Sequence, residues 1–285
     1  MISDLEDKRA ALSVRLEQLG SALVALSGGV DSSLLLAMAA AHVRGPLAAA
    51  VVVTALHPDA ASAREAASRL GVRLHEIEIP VLDDTEIREN PAHRCYLCKR
   101  MIFSRLQTFA RERGFLPILE GSNADDLSEF RPGRRALAEL GVISPLAEAG
   151  FTKVDVRALA AEMGLPAAAR PSDTCAATRF PYGVRLTAEA IERVRRAERA
   201  VAREACGPVR VRAHGDLARV EVEPQAIPAL AEPAARERIC RALLEVGFRY
   251  VALDLIGYRS GAMDEALSDA ERRSVEDGGP FSGPA

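Results

Sequence analysis

The sequence predicts an α/β protein: a doubly wound parallel sheet followed by a second, smaller α+β domain. Three observations predict it. Apolar runs of strand length alternate with helical patterns over residues 22–79, and the first run stops at Ser27-Gly28-Gly29 where a helix begins. Beyond Pro181, two stretches of alternating apolar and charged residues flank a His214-Gly215-Asp216 turn. A βαβαβ order requires parallel strands joined by crossover helices, and the later pair has the pattern of a hairpin.

Taken in order, residues 3–19 read as a charged amphipathic helix, with Leu5, Leu12, Leu16 and Leu19 on one face. Ala22 to Leu26 is the first strand. The helix from Asp31 carries Ser32, Ser33, Leu34, Leu35, Leu36 and Met38, and ends near Gly45-Pro46. Ala48 to Thr54 is a continuous apolar strand, and Thr54 stands at its C-terminal end, where open parallel sheets bind ligands. A helix over Asp59 to Leu70 stops at Gly71, and Val72 to Ile79 alternates as a third strand. Residues 80–100 read as a connection and 100–112 as a helix with Ile102, Phe103, Leu106 and Phe109 on its apolar face. A strand at 116–119 and a helix from Lys153 to Met163 extend the sheet domain. A change of character near Pro181-Tyr182-Gly183 opens the second domain. Its expected elements are a helix from Thr187 to Glu204, the strands 209–213 and 217–223, a helix over 233–246 and a strand over 250–256. The expected division is therefore 1–180, 181–267 and a disordered tail, 268–285.

Composition narrows the function classes. Hydrophobic residues are 48% and charged residues 27% of the chain, an ordinary globular balance. The net charge of −3 gives no electrostatic basis for a nucleic-acid partner. No apolar run approaches a membrane span, and Met1-Ile2-Ser3-Asp4 starts a polar helix, so no membrane is expected and a cytoplasmic location is. Five cysteines in a reducing compartment point to ligands, reactive groups or core positions more than to disulfides. Cys206 and Cys240 fall on apolar faces of expected helices and read as core.

The chemistry concentrates in two places. At the first strand–helix junction, Gly28 and Gly29 let the backbone approach a ligand, and the helix N-terminus behind them favours a phosphate. Ser27, Ser32 and Ser33 add hydroxyls, and Asp31 suits a magnesium ion bridging phosphates. At the same sheet edge, Glu120-Gly121-Ser122-Asn123-Ala124-Asp125-Asp126 follows the strand at 116–119. Gly121 permits close backbone approach, and Asp125 is either a second magnesium ligand or a helix cap. The string Ser-Gly-Gly-Val-Asp-Ser resembles the PP-loop of the ATP pyrophosphatases and the adenine nucleotide alpha hydrolase-like fold that carries it; no Gly-Lys-Ser/Thr follows, which sets it apart from a Walker loop. Ile143-Ser144-Pro145-Leu146 and the helix from Lys153 through Arg157 resemble the downstream segments of the same enzymes. That resemblance implies ATP and Mg2+ as cofactors and Lys153 as a neutraliser of phosphate charge.

The second place is a set of thiols. Cys95 and Cys98 have Cys-x-x-Cys spacing, and Cys175 lies in Arg170-Pro171-Ser172-Asp173-Thr174-Cys175-Ala176-Ala177-Thr178-Arg179-Phe180-Pro181-Tyr182-Gly183. Three thiolates suit a [4Fe–4S] cluster with one open iron. With His93 they suit a closed zinc site, and Cys95 with Cys98 alone suits a redox pair. Together with Gly257-Tyr258-Arg259-Ser260-Gly261, these segments resemble the LarE-type pyridinium-3,5-dicarboxylate mononucleotide sulfurtransferases over roughly residues 10–267. Such enzymes help build the nickel-pincer nucleotide cofactor of lactate racemase. They adenylate two carboxylates of a pyridinium mononucleotide with ATP and replace them by thiocarboxylates. The family has a form in which a single cysteine, matching Cys175, surrenders its sulfur, and a form in which three cysteines hold a [4Fe–4S] cluster that delivers sulfide. The extra pair here implies the cluster form, with Cys95, Cys98 and Cys175 as its catalytic ligands; the sulfide source is not legible.

A mononucleotide also needs a phosphate reader. Arg210 and Arg212, two apart on a strand, project from one face, and Arg179 and Arg259 are further candidates; a solvated strand face is the plainer reading. Glu189, Glu221 and Glu223 read as surface carboxylates. A homo-oligomer is expected. A tRNA thiolase, an ammonia-dependent amide-forming enzyme with structural zinc, and a non-catalytic nucleotide-binding regulator share the loop and are the rival readings.

Overall fold

A computed structural model describes residues 2–170, 174–259 and 261–278. Pro171, Ser172 and Asp173 of the Cys175 segment, Ser260, and residues 279–285 of the expected tail lie outside them. Contacts divide the chain into two compact units. One comprises the described residues of Met1–Pro80 and His93–Asp173, the other those of Val81–Ala92 and Thr174–Ala285.

In chain order the helices and strands are α1 (Ile2–Glu17), β1 (Ala22–Ala25), α2 (Val30–His42), β2 (Leu47–Val53), α3 (Ala61–Arg69) and β3 (Leu74–Glu78). Then come α4 (Thr85–Arg88), which belongs to the second unit, α5 (Arg94–Arg113), β4 (Ile118–Leu119), α6 (Gly133–Glu139), α7 (Pro145–Glu148) and α8 (Lys153–Glu162). The rest is α9 (Ala188–Val201), β5 (Val209–His214), β6 (Leu217–Val222), α10 (Ile227–Ala231), α11 (Pro233–Glu245), β7 (Tyr250–Leu253) and α12 (Asp269–Asp277).

The first unit is the expected parallel sheet, in the order β3-β2-β1-β4. Strand side chains alternate between faces, and both faces are covered, so β1 and β2 are apolar throughout. Ala22, Val24, Ala49 and Val51 pack with Leu34, Leu35, Phe151, Val156 and Leu159, whereas Leu23, Ala48 and Ala50 pack with Phe103, Leu106 and Ala110 of α5. Leu12 and Leu16 of α1 are buried, as their spacing predicts, Leu19 is buried just beyond the helix end, and Leu5 packs at the margin. The parallel strands share one C-terminal edge, and Ser27, Thr54 and Glu120 emerge there.

The second unit holds a three-stranded sheet, β5-β6-β7. Here β5 and β6 form the expected hairpin and β7 runs parallel to β6. Val209, Val211, Ala213, Ala218, Val220 and Val222 are buried. Helix α9 lies against β5 and buries Ile191, Val194, Ala197 and Val201; Thr187 caps it by accepting the N–H of Ala190 (3.1 Å). Residues 81–92 join this unit through Asn90, which adopts φ 55° and donates from Nδ2 to the Pro181 carbonyl (2.8 Å). The N–H of Gly183 returns a bond to the Asn90 carbonyl (2.9 Å). The second unit thus begins at Thr174 and recruits an earlier segment, where the sequence suggests a single cut after residue 180.

Two other expectations need correction. The residues from Ser268 to Gly278 are not a disordered tail: Ser268 and Glu271 form a capping box at the start of α12, and Gly278 closes it in the left-handed conformation. Helix α5 starts at Arg94, not near 100, which puts both cysteines of the Cys-x-x-Cys pair on its first turns.

Candidate active site

The loop from Leu26 to Gly29 turns the chain from β1 into α2. Gly28 has φ +82°, and a Cβ there would lie 2.7 Å from Ser62 Cβ and 2.8 Å from the Ala63 nitrogen, so the start of α3 closes that side. Gly29 faces the other way: its Cβ would meet nothing nearer than Ser27 Oγ at 3.5 Å. No side chain caps α2 at Gly29. An uncapped helix start beside an open glycine is a site for an anion. Ser27 and Ser32 brace the loop from inside, their hydroxyls 3.0 Å apart, with Ser32 Oγ also donating to the Gly29 carbonyl (3.2 Å).

The turn after β4 packs directly against this loop. A Cβ on Gly121 would stand 2.8 Å from the Ser32 nitrogen, so this glycine permits close approach to the backbone of α2. Glu120 is buried and accepts from the N–H and hydroxyl of Ser122 (3.0 and 2.9 Å) and from the Ser144 hydroxyl, which ties the Ile143–Ser144 segment to the same edge. Thr54, at the end of β2, accepts the N–H groups of Leu56 and His57 (3.1 and 3.0 Å) and shapes the turn there.

The structure brings Asp31, Asp125 and Lys153 together. Lys153 Nζ donates to Asp31 Oδ2, and its backbone N–H donates to Asp125 Oδ2 (2.7 Å). Asp31 Oδ1 accepts from Nδ2 of Asn123 (2.9 Å), a buried residue to which the sequence pattern gives no role. Two carboxylates and a lysine beside a phosphate cradle fit magnesium, which takes one or two protein carboxylates and completes its shell with phosphate and water. Thr152 and Asp155 form a capping box that starts α8 in the right place for Lys153. Burial works against the Asp155 carboxylate, yet bonds from Lys8 and Thr152 outweigh it and hold its pKa below the usual value.

Cys95 and Cys98 are half-buried and one helical turn apart near the N-terminus of α5, where negative charge is favoured. Arg94 Nη2 lies 3.6 Å from Cys95 Sγ. Helix α6 packs against them through Gly133, whose Cβ would stand 3.2 Å from the Cys95 carbonyl oxygen. Such a thiol pair is right in kind and spacing for two ligands of one metal group. Among the described residues, however, no group of three or more His, Cys, Asp or Glu side chains is gathered to hold a metal ion.

Cys175 belongs to the second unit, at the start of a 3-10 turn over Ala176–Arg179. Its carbonyl accepts from the Thr178 hydroxyl (2.8 Å) and from Arg179 Nη1 (3.2 Å). Arg179 also bonds the Thr174 carbonyl and hydroxyl (2.9 and 2.6 Å) and pairs with Glu198 (2.8 Å). On the second sheet, Arg210, Arg212, Arg219 and Glu221 share one face by register. Arg212 pairs with Glu221 (2.8 Å) and donates to the Thr178 carbonyl (2.7 Å). Arg219 binds the other Glu221 oxygen (3.0 Å). The guanidinium of Arg210 lies over the Tyr258 ring at 5.3 Å, and Arg259 makes a two-pronged pair with Glu265 (2.7 and 2.8 Å).

Three smaller expectations change. Glu221 is fully buried rather than a surface carboxylate, because two arginines neutralise it. Cys206 is exposed, beyond the end of α9. Arg179 and Arg212 hold the loop that carries Cys175, which no spacing in the sequence reveals.

Comparison with known proteins agrees with this arrangement. The asparagine synthase family profile matches residues 9–126, the stretch from α1 through the Glu120 turn. The chain is 37% identical to the pyridinium-3,5-bisthiocarboxylic acid mononucleotide synthase of Lactiplantibacillus plantarum, over 95% of this chain and 98% of that protein. An uncharacterised protein of Synechocystis is 36% identical over 93% of this chain and 99% of its own length. A second uncharacterised protein, from Methanocaldococcus jannaschii, is 29% identical over 84% of the chain and 90% of its own length. With a family profile matched over the glycine loop at its sheet edge and a named relative matched over 98% of its length, the chain belongs to the LarE-type family, that of the pyridinium-3,5-bisthiocarboxylic acid mononucleotide synthase.

Proposed function

We propose that this chain is an ATP-dependent sulfurtransferase that adenylates the carboxylates of pyridinium-3,5-dicarboxylate mononucleotide and converts them to thiocarboxylates. The observation that carries it is the uncapped start of α2 at Gly29, with the Asp31–Lys153 pair at its first turn, in a chain aligned over its length with the Lactiplantibacillus synthase. The start of α2 and the loop N–H groups receive the pyrophosphate portion of ATP. Asp31 and Asp125 hold Mg2+, and Lys153 leaves Asp31 to neutralise phosphate charge. A substrate carboxylate oxygen attacks the α-phosphorus, the bond to the bridging oxygen breaks and pyrophosphate departs. Stabilising charge on that leaving group is the task for which the loop is preorganised. The product is an acyl adenylate, from which a sulfur nucleophile displaces AMP.

Cys95, Cys98 and Cys175 are the residues that would hold a [4Fe–4S] cluster, which when bound supplies sulfide to the activated carbonyl. Arg210 and Arg259 read the phosphate of the mononucleotide, Arg259 by exchanging its exposed partner Glu265. Arg179 and Arg212 support that face and the Cys175 loop. A homo-oligomer is consistent with the exposed Tyr250, Leu255 and Ile256 at the β7 margin. A cytoplasmic location is part of the same reading; among the described residues no helix is long and apolar enough to cross a membrane.

The Cys175→Ala variant tests the sulfur step. Pyrophosphate release should persist and thiocarboxylate formation should vanish; retained thiolation refutes a role for Cys175. Iron and acid-labile sulfide in protein purified without air support the cluster. Loss of one hydrogen sulfide from the mass of Cys175 after turnover supports surrender of its own sulfur instead.

A further inference from the structure

Four residues beside the loop close a ring of hydrogen bonds through side chains and two backbone N–H groups. Asn123 Nδ2 donates to Asp31 Oδ1 (2.9 Å), and Asp31 Oδ2 accepts from Lys153 Nζ. The Lys153 backbone N–H donates to Asp125 Oδ2 (2.7 Å), and the Asp125 N–H donates back to Asn123 Oδ1 (3.0 Å). The ring joins α2, the turn after β4 and the first residue of α8, all within the first unit. Three of its members are charged and have roles above. The fourth is a neutral amide, 3% exposed.

The ring demands that one side chain donate at one end and accept at the other. A primary amide does this with both ends fixed by their partners. A carboxylate in its place would face the Asp31 carboxylate across the same gap, and an alkyl group would leave Asp31 Oδ1 and the Asp125 N–H without this partner. The backbone under Asn123 is also held. Its N–H donates to Asp126 Oδ2 (3.0 Å), and the next N–H, that of Ala124, donates to the Phe151 carbonyl (2.7 Å). Gly121 presses the same turn onto α2.

We propose that Asn123 is a positioning residue for adenylation: it fixes the orientation of the Asp31 carboxylate and, through Asp125, of the helix start that presents Lys153. Metal-binding carboxylates and the phosphate-neutralising ammonium then reach the loop already oriented. Asn123 touches neither nucleotide nor substrate. The assignment rests on the nucleotide reading of this site.

Calorimetric titration of the full-length Asn123→Ala variant with ATP, with and without Mg2+, tests it. Affinity for MgATP should fall about tenfold, the size expected when a bond to a charged group is lost, and affinity for ATP without the metal, which loses only the placement of Lys153, should fall about threefold or less. Asn123→Ser, which keeps a small donor and acceptor, should fall between Asn123→Ala and wild type, and it serves alone if the alanine variant does not fold. MgATP affinity within about twofold of wild type in a folded variant overturns the assignment, as does an equal loss with and without metal, the mark of a merely structural role. A wild-type chain that fails to bind MgATP refutes the nucleotide site itself, whereas normal wild-type binding with an unaffected variant refutes Asn123 alone.

Discussion

The Asp31–Lys153 pair at the edge of the first sheet and the Arg212–Glu221 pair on the three-stranded sheet are alike in sequence, each a cation and an anion near a motif. In the folded chain they differ in one decisive respect. The side chains of Lys153 and Asp31 retain 35% and 20% of their exposure, while those of Arg212 and Glu221 retain 5% and 0%. A partly wet pair can exchange partners when a phosphate or metal arrives, because water offsets the loss of either partner. A sealed pair cannot, since removing one member leaves a bare charge in a medium that does not solvate it. Under the proposed function the first region is free to receive ligands, whereas the second holds a loop. The arginines at 179 and 212, with the residue types of phosphate readers, mainly anchor the turn that carries Cys175.

The largest expected effect tests that contrast directly. Arg212→Ala should destabilise the chain toward denaturant by about 2–3 kcal/mol, because buried Glu221 keeps only the partly exposed Arg219 and the Thr178 carbonyl loses its donor. Lys153→Ala should move the unfolding midpoint by about 0.5 kcal/mol or less, yet weaken MgATP binding by about tenfold or more. A reversal, with Lys153 needed for folding and Arg212 dispensable, would break the comparison. Next in size is Gly28→Ala. Its φ of +82° and the 2.7 Å approach to Ser62 predict about 1–2 kcal/mol of destabilisation from the backbone alone, with loss of MgATP binding as the loop shifts. Gly29→Ala, with open space at its Cβ, should fold normally and lose only the nucleotide, which separates crowding from ligand contact. Equal stabilities for the two variants would count against the loop geometry described.

The smallest effect concerns a half-buried imidazole rather than an ion pair. His75 packs edge-on against Phe109, its Nε2 is buried and has no hydrogen-bond partner among the described residues, and burial, aided by Arg73 and Arg113, lowers its pKa from the usual 6.5. The unfolded chain then takes up the proton first as pH falls. Stability is complete above about pH 6.5 and declines below it until the folded-state value is reached. His75→Leu should flatten the dependence of the unfolding midpoint over that interval. An unchanged slope would show that other groups carry it.

Much of the first unit was legible because its signals are local. Strand-length apolar runs, the Ser-Gly-Gly turn and the Leu12–Leu16–Leu19 face each follow from spacing alone. The thiol pair was harder: Cys95 and Cys98 follow Pro91 and carry no apolar periodicity, although Arg94, Leu97, Lys99 and Arg100 around them are good helix formers and the helix does start at Arg94. The burial of Glu221 depends on which residues face it across β5 and β6, and Asn123 gains its role only when α2 and α8 meet the turn after β4. Those are long-range facts. The helix after Ser268 is a different lesson, since its Ser-x-x-Glu start and Gly278 stop stand in the sequence, beside a glycine- and proline-rich end that suggests disorder.

The central claim is that the loop at Ser27–Ser33 directs attack at the α-phosphorus of ATP. It is tested most directly by identifying the nucleotide products after incubation with ATP, Mg2+ and pyridinium-3,5-dicarboxylate mononucleotide. The account predicts pyrophosphate matched by the sum of acyl adenylate and AMP, formed only when the mononucleotide is present and abolished in Gly29→Ala. ADP and inorganic phosphate, or pyrophosphate release indifferent to the mononucleotide, would contradict it.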